Sequence, residues 1–354
     1  MTAPRFRIID TGRRSGRENI SLDQAMIDAH QAGEIGDTIR FIGFSPVVLV
    51  GRHQAVSQEV NVDYCRKNQI EIGRRITGGG AIFMDEDQLG WSLVCNRHSL
   101  GGGSLSEVTE RICKAVASGL SDLGLHAQYR PRNDIEVGGR KISGTGGFFD
   151  GDTLIFQGTV LGDVNPEKMF SALNVPQEKT EKHALGAAAQ RVTNLRELLG
   201  CSPDWSDVKL AMTKAFESLL GIETVEDTLS EAELTRAQAI FDEEIGTDDF
   251  VYDIDDPSRD ASVKVGSCRG AGGAVTAHIR LEGAKNDRLR EVLITGDFFV
   301  TPPRIILDLE SSLRRTPIDE IDANVDAFFA GADVGLLSVA PSDFSAAIRS
   351  AVAA

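Results

Sequence analysis

Asn133-Asp134-Ile135-Glu136-Val137-Gly138-Gly139-Arg140-Lys141-Ile142-Ser143-Gly144 sets two consecutive glycines between short runs of alternating apolar and polar residues. Such a pair is a hairpin signal, because both central positions of the favoured two-residue turn need positive φ. Asn133 and Asp134 then lie on the strand entering the turn, and Lys141 and Ser143 on the strand leaving it. Strand alternation predicts Lys141 and Ser143 on one sheet face and Arg140 on the other. A carboxylate, an amide, an ammonium and a hydroxyl on paired strands suit a magnesium-bound phosphate and a developing oxyanion. Taken alone, the segment fits an edge hairpin with ordinary surface polar groups equally well.

Strand candidates surround the hairpin on both sides: Arg5–Ile9, Thr38–Phe44, Val47–Val50, Ile70–Ile72, Ala81–Phe83 and Trp91–Val94 before it, Thr153–Phe156 and Gly158–Leu161 after it. Ser106–Leu123 reads as a helix, with Val108, Ile112, Val116 and Leu123 at helical spacing, and Pro166–Leu173 and Asp207–Leu219 read likewise. The pattern predicts an α+β fold, a mixed, largely antiparallel sheet flanked by helices, rather than a doubly wound nucleotide fold. The stretch from Ile222 to Ser230 is short of apolar residues and ends in a helix-capping Ser. It sets a linker at 223–229 between a chemistry-bearing domain at 1–222 and a small α/β accessory domain at 230–354. That second part offers a helix at Glu231–Glu244, strands at Val275–Leu281 and Glu291–Thr295, and three amphipathic helices.

The chain has 354 residues, 37 basic and 53 acidic, for a net charge of −16. After residue 222 there are 26 acidic and 12 basic side chains, so the acidity is concentrated there. This balance excludes a nucleic-acid binder, which needs clustered Lys and Arg. No run approaches the ~20 apolar residues of a membrane helix, and the start lacks a signal peptide's apolar core. Cysteines 65, 95, 113, 201 and 268 are odd in number and widely spaced, as expected of reduced thiols in a soluble, cytoplasmic protein. The six histidines show no HxxxH or HxxE spacing, which argues against zinc.

Arg74-Arg75-Ile76-Thr77-Gly78-Gly79-Gly80-Ala81-Ile82 joins two strand candidates through a glycine triplet. Glycine lets a ligand lie against the main chain, Arg75 can meet an anion, and Thr77 supplies a hydroxyl. A flexible turn with solvated arginines is the plain reading of this segment alone, and neither common phosphate-loop pattern is present.

Together the two segments resemble the biotin/lipoate protein ligase superfamily, and within it the lipoate-protein ligase family. The signature RRxxGGGxV is similar to residues 74–82, and ND…G(R/K)KISG to Asn133 through Gly144. Val50-Gly51-Arg52-His53-Gln54, Arg191-Val192-Thr193-Asn194-Leu195 and Gly296-Asp297-Phe298-Phe299 extend the match over most of the chain. The resemblance implies an enzyme that uses ATP and Mg²⁺ to activate lipoate or octanoate as acyl-AMP, then acylates a lysine of a lipoyl-acceptor protein. That acceptor would be a lipoyl domain, a glycine-cleavage H-like protein or a lipoate-binding protein. It implies Lys141 as the catalytic residue. Arg75, Thr77, Gly78, Gly79, Gly80, Ala81, Asn133, Asp134, Ser143 and Gly144 would bind the lipoyl-adenylate, and Asp134 would help hold Mg²⁺. Its accessory domain would act as a lid or positioning module.

The chain departs from the family at Met84-Asp85, where His-Asp is usual, at Asp87-Gln88, where Gly-Asn is usual, and at Ala187-Ala188-Ala189-Gln190, where the family tends to a basic segment. These departures point to a specialised branch serving dedicated lipoyl carriers of sulfur oxidation. The rival within the superfamily, an octanoyltransferase, needs a thiolate near the lysine, and no cysteine lies between Cys113 and Cys201. A non-catalytic carrier-binding protein is the remaining alternative, and the ammonium of Lys141 argues against it.

Overall fold

The computed structural model describes residues 3–174, 190–270, 273–337 and 339–354. Two compact units share the chain. The first comprises the segments up to Leu49, Val60–Arg74 and Ile82–Val251; the second comprises Val50–Glu59, Arg75–Ala81 and Tyr252–Ala354.

The first unit is built on an eight-stranded sheet. Its strands are β1 (Arg5–Arg14), β2 (Thr38–Phe44), β6 (Gln88–Asn96), β7 (Ala127–Arg130), β8 (Asp134–Val137), β9 (Arg140–Asp150), β10 (Thr153–Leu161) and β11 (Glu223–Glu226). They run in the order β11-β1-β2-β6-β10-β9-β8-β7. Only the pairings of β1 with β2 and β11 are parallel; the rest are antiparallel, as the alternating runs predict. Strands β3 (Val47–Val50), β4 (Glu71–Arg74) and β5 (Ile82–Met84) form a smaller sheet, β4-β3-β5.

Two differences from the sequence reading have local causes. Thr153–Leu161 is one strand, not two separated at Gln157. A Cβ on Gly158 would stand 2.2 Å from the Trp91 ring, so this glycine marks close packing inside the strand. The helix Gly16–Gln31, closed by a Ser15/Glu18 capping box, has no clean apolar stripe because Asn19, Ser21 and Asp23 are all buried. Asp23 meets Arg40 of β2 at 2.9 Å, and Asn19 accepts from the same guanidinium through its backbone oxygen at 3.1 Å. Burial pushes the Asp23 carboxyl up and the Arg40 guanidinium down, each opposed by the other's charge. On the opposite face Trp91 packs against Phe156 and against Phe216 of the helix Trp205–Leu220, with ring centroids 6.1 and 5.9 Å apart.

The second unit holds a three-stranded antiparallel sheet of β12 (Lys264–Gly270), β13 (Gly273–Glu282) and β14 (Arg288–Gly296), and a pair of β15 (Phe299–Thr301) with β16 (Gly335–Leu337). Its core joins Val275, Ala277 and Ile279 of β13 to Leu309, Val325, Phe344 and Ile348 of the C-terminal helices. The expected linker at 223–229 corresponds to no gap between units. Glu223–Glu226 pair with β1 as an exposed edge strand, the helix Glu231–Ile240 packs Ala237 on Leu22 and Ala25, and the chain passes to the second unit after Val251. Edge exposure explains the polar composition that hid the strand.

Candidate functional site

Gly138 and Gly139 have φ of 59° and 77°, so the predicted hairpin closes in a tight turn between β8 and β9. Its register places Asp134 opposite Gly144, Ile135 opposite Ser143 and Glu136 opposite Lys141, leaving Ile142 as an extra residue on β9. This bulge inverts the alternation. Lys141 therefore shares a face with Asp134, Glu136 and Gly144, while Ser143 faces the other way beside Ile135. The expectation of Lys141 and Ser143 on one face is thus corrected, and Arg140 does lie opposite Lys141.

The Lys141 ammonium sits 2.7 Å from the Asp134 carboxylate. It occupies the space beside Gly144, where a Cβ would come within 2.6 Å of Nζ. Arg130 bridges the two carboxylates, pairing with Asp134 and, at 3.0 Å, with Glu136. Two cations and two carboxylates thus share one face of the hairpin, and the lysine side chain is 39% exposed. The Lys141 backbone donates to Arg191 (2.9 Å) and accepts from Thr193 (2.8 Å), which seats the Arg191–Leu195 motif alongside it. Asn194 of that motif caps the helix Leu195–Leu199.

Asn133 and Ser143 have different surroundings from those expected of ligand-facing groups. The Asn133 amide donates to the Thr145 carbonyl and its backbone oxygen accepts from Thr145 at 2.9 Å, so it clasps the base of the hairpin. Ser143 is fully buried, its hydroxyl without a hydrogen-bond partner. Thr145, on the same face as Ser143, meets the Cys113 thiol of the helix Leu105–Asp122 at 3.3 Å. Cys113 therefore lies on the sheet side away from the lysine ammonium, and burial pushes its thiol up to about 12. Met84, at the family's His position, is 1% exposed, opposite Val47 in the β3–β5 pair; its apolar side chain serves packing. Asp85 is buried and paired with Lys168 at 3.1 Å. The alanine run 187–189 lies outside the described residues.

The glycine loop belongs to the second unit. Arg75, 8% exposed, donates through Nη2 to the carbonyls of Gly78 (3.1 Å) and Gly80 (2.9 Å) and through Nε to the Thr77 hydroxyl (3.3 Å). Burial pulls its guanidinium down to about 10, so it stays charged at neutral pH. Two neighbouring segments, Val50–Gln54 and Gly296–Phe299, hold the loop. Arg75 donates to Val50 (2.8 Å), Arg52 to Thr77 (2.9 Å) and Gly79 to Phe298 (3.0 Å), all through backbone groups. Ala81 closes the loop before β5. The partnership with Gly296–Phe299 has no local sequence signal beyond the motif itself.

Two carboxyls nearby are displaced. Burial, reinforced by Asp297 and opposed by the Gln54 amide, raises Glu59 to about 7. Burial, reinforced by Asp253 and opposed by the Ile294 N–H and Arg52, raises Glu310 to about 7. A folded-state pKa above the unfolded one means the native state holds the proton more tightly. Stability from these groups is full below about 4.5 and is lost as pH rises through about 7. Glu59→Gln and Glu310→Gln should each stabilise the protein at pH 8, on the order of 2 kcal/mol, and have little effect near pH 4.5. Urea midpoints at the two pH values test this; equal shifts at both would refute it.

Among the described residues, no three or more His, Cys, Asp or Glu side chains converge as a metal cluster. Asp134 and Glu136, on one face of β8, offer the one or two carboxylates that suit a Mg²⁺ arriving with phosphate oxygens. No helix among the described residues is long and apolar enough to cross a membrane.

The family model of the lipoyl protein ligase A/B catalytic domain matches residues 15–217. Octanoyltransferase LipM of Symbiobacterium thermophilum is 28% identical over 268 residues, covering 69% of this chain and 97% of its own. Lipoate-protein ligase A subunit 1 of Thermoplasma acidophilum is 28% identical over 244 residues, covering 66% and 91%. Among solved structures, P. falciparum LipL1 in complex with lipoate matches with a TM-score of 0.71, at 14% identity over 98% of this chain and 99% of that one. The bipartite lipoate protein ligase of T. acidophilum, described with its E2 lipoyl domain, gives 0.63 at 24% identity, covering 72% and 98%. Lipoate-protein ligase A bound with ATP gives 0.61 at 24% identity, covering 72% and 100%. These structures share the mixed sheet flanked by helices.

Proposed function

This chain belongs to the family of the lipoyl protein ligase A/B catalytic domain, and on that premise we propose that it is an ATP-dependent lipoate-protein ligase. A carboxylate oxygen of lipoate or octanoate attacks the α-phosphorus of ATP and pyrophosphate leaves. The lysine amine of a lipoyl-acceptor protein then attacks the acyl carbon and AMP leaves with the bonding pair. Lys141 would meet the negative charge on the α-phosphate in both steps, a reading supported by the partly exposed ammonium 2.7 Å from Asp134. Arg75, Thr77 and the Gly78–Ala81 backbone would bind the acyl-adenylate, with the guanidinium held ready by the loop carbonyls. Gly144 leaves the lysine room. Mg²⁺, with Asp134 among its ligands, would screen the repulsion between carboxylate and triphosphate when bound. The acceptor would be a lipoyl domain, an H-like protein or a dedicated lipoate-binding protein.

One observation carries the choice of ligase over acyltransferase: Cys113 is buried on the sheet side away from the Lys141 ammonium, its thiol raised to about 12. A thioester route needs an accessible thiolate beside the lysine. Cys65 and Cys95 are buried too, and burial raises both thiols. Octanoyltransferase activity is the second reading, favoured by the similarity to LipM.

A chain with all five cysteines changed to Ser or Ala, shown to be folded, should keep at least half of its ATP-dependent acylation. Mass spectrometry of the protein incubated with ATP, Mg²⁺ and lipoate or octanoate should find the acyl-adenylate. Octanoyl transfer between carrier proteins without ATP, lost in the cysteine-free chain, would overturn the ligase reading.

A further inference from the structure

We propose that Phe298 and Phe299 are positioning residues for the glycine loop, and through it for the Arg75 guanidinium. The inference rests on the ligase reading for its consequence in catalysis, but its geometry stands within the second unit alone.

Four observations carry it. The Phe298 carbonyl accepts the Gly79 N–H at 3.0 Å, and a Cβ on Gly78 would stand 2.3 Å from that oxygen. The Phe299 ring lies over Gly79, where a Cβ would come within 2.5 Å of Cζ. Phe298 is itself immobilised: fully buried, stacked on His53 with centroids 5.2 Å apart and planes 17° from parallel, and edge-on to Phe344 at 5.4 Å. Gly296 N–H donates to the His53 carbonyl at 3.0 Å, tying the same turn to the Val50–Gln54 segment.

The consequence follows from what orients Arg75. Its guanidinium donates to the carbonyls of Gly78 and Gly80, the residues on either side of Gly79. Those carbonyls have no side chains of their own to fix them, and Gly79 sits at φ 92°, a conformation that gains nothing from side-chain preference. The aromatic turn supplies what the loop lacks, one backbone acceptor and one ring wall. A shift of about 1 Å in such a cationic group can cost 10²-fold in rate. The glycine triplet therefore answers two demands: it lets a ligand approach, and it lets the aromatic turn pack without a Cβ between.

Phe298 sits in the core, so the test uses Phe299, which is half-buried, in the full chain. Phe299→Ala should raise amide exchange in the peptide spanning residues 75–81 at least tenfold and leave β12–β14 protected, with the melting temperature within a few degrees. It should lower kcat/KM for lipoyl-adenylate formation 10- to 100-fold, mostly through KM for ATP. Phe299→Tyr should restore it to within threefold. Gly79→Ala should be less damaging in the Phe299→Ala background than in the wild type, because the ring it would strike is gone. Unchanged exchange at 75–81, or strictly additive effects of the two substitutions, would overturn the proposal. The exchange result decides the positioning claim even if the wild type makes no adenylate; that failure would count against the ligase reading instead.

Discussion

Lys141→Ala is expected to lower lipoyl-adenylate formation by about 10²–10³, or ~3–4 kcal/mol in transition-state stabilisation, with the fold intact. The ammonium stands on an open hairpin face, paired with a carboxylate and lying over Gly144, so truncation removes a charge without opening a core cavity. Lys141→Arg should rescue only in part, because a planar guanidinium replaces a compact ammonium. Gly144→Ala makes the same point from the other side: its Cβ would displace Nζ, reducing activity while stability changes little. Arg140 is the internal control. It pairs with Glu197 at 2.7 Å on the far face, both partners partly exposed, and Arg140→Ala should leave adenylation within about twofold. Supplying synthetic lipoyl-adenylate separates the steps; if Lys141 serves both, transfer to the acceptor lysine falls too. Wild-type adenylation by Lys141→Ala, measured as pyrophosphate release, would remove the lysine from the mechanism.

Arg75→Gln should lose 10²–10³ of adenylation as well, with stability unchanged or slightly raised. The native state bears the cost of burying this cation, seen in a guanidinium pulled down to about 10. A neutral amide relieves that cost and can still donate to one loop carbonyl. What it cannot do is offer a fixed positive fork to a phosphate or carboxylate. Arg75→Lys should be nearly as poor, since a point charge cannot donate to Gly78, Gly80 and Thr77 in one plane. A loss of activity that tracks a fallen melting temperature would mean that Arg75 is structural, and the assignment would fail.

The hairpin was legible because Gly138-Gly139 can be little else between alternating runs. Its faces were not, because a bulge at Ile142 leaves no mark in sequence and reverses everything beyond it. The two runs Thr153–Phe156 and Gly158–Leu161 were legible as strands but not as one, because the polar Gln157 between them gives no sign that the strand continues. The helix Gly16–Gln31 was hidden by residues that look solvent-facing until Arg40 is found across from them. Asn133, Met84 and Ser143 show the limit of transferring a motif: the residue type matches or departs, but what it touches is decided by packing. The glycine loop's place with the C-terminal segments was least legible, since its hydrogen bond to Phe298 joins residues more than two hundred positions apart.

That discontinuity bears on how the protein is made. The segments Val50–Glu59 and Arg75–Ala81 leave the ribosome before most of the first unit, while the chain from Tyr252 that completes their own unit follows only after all of it. At roughly 5–20 residues per second they wait on the order of ten seconds or more for Phe298. During that wait the first sheet can form, but Gly79 has no acceptor and the Phe299 wall does not exist. A nascent chain is thus unable to fasten its glycine loop until Gly296–Phe299 has been synthesised.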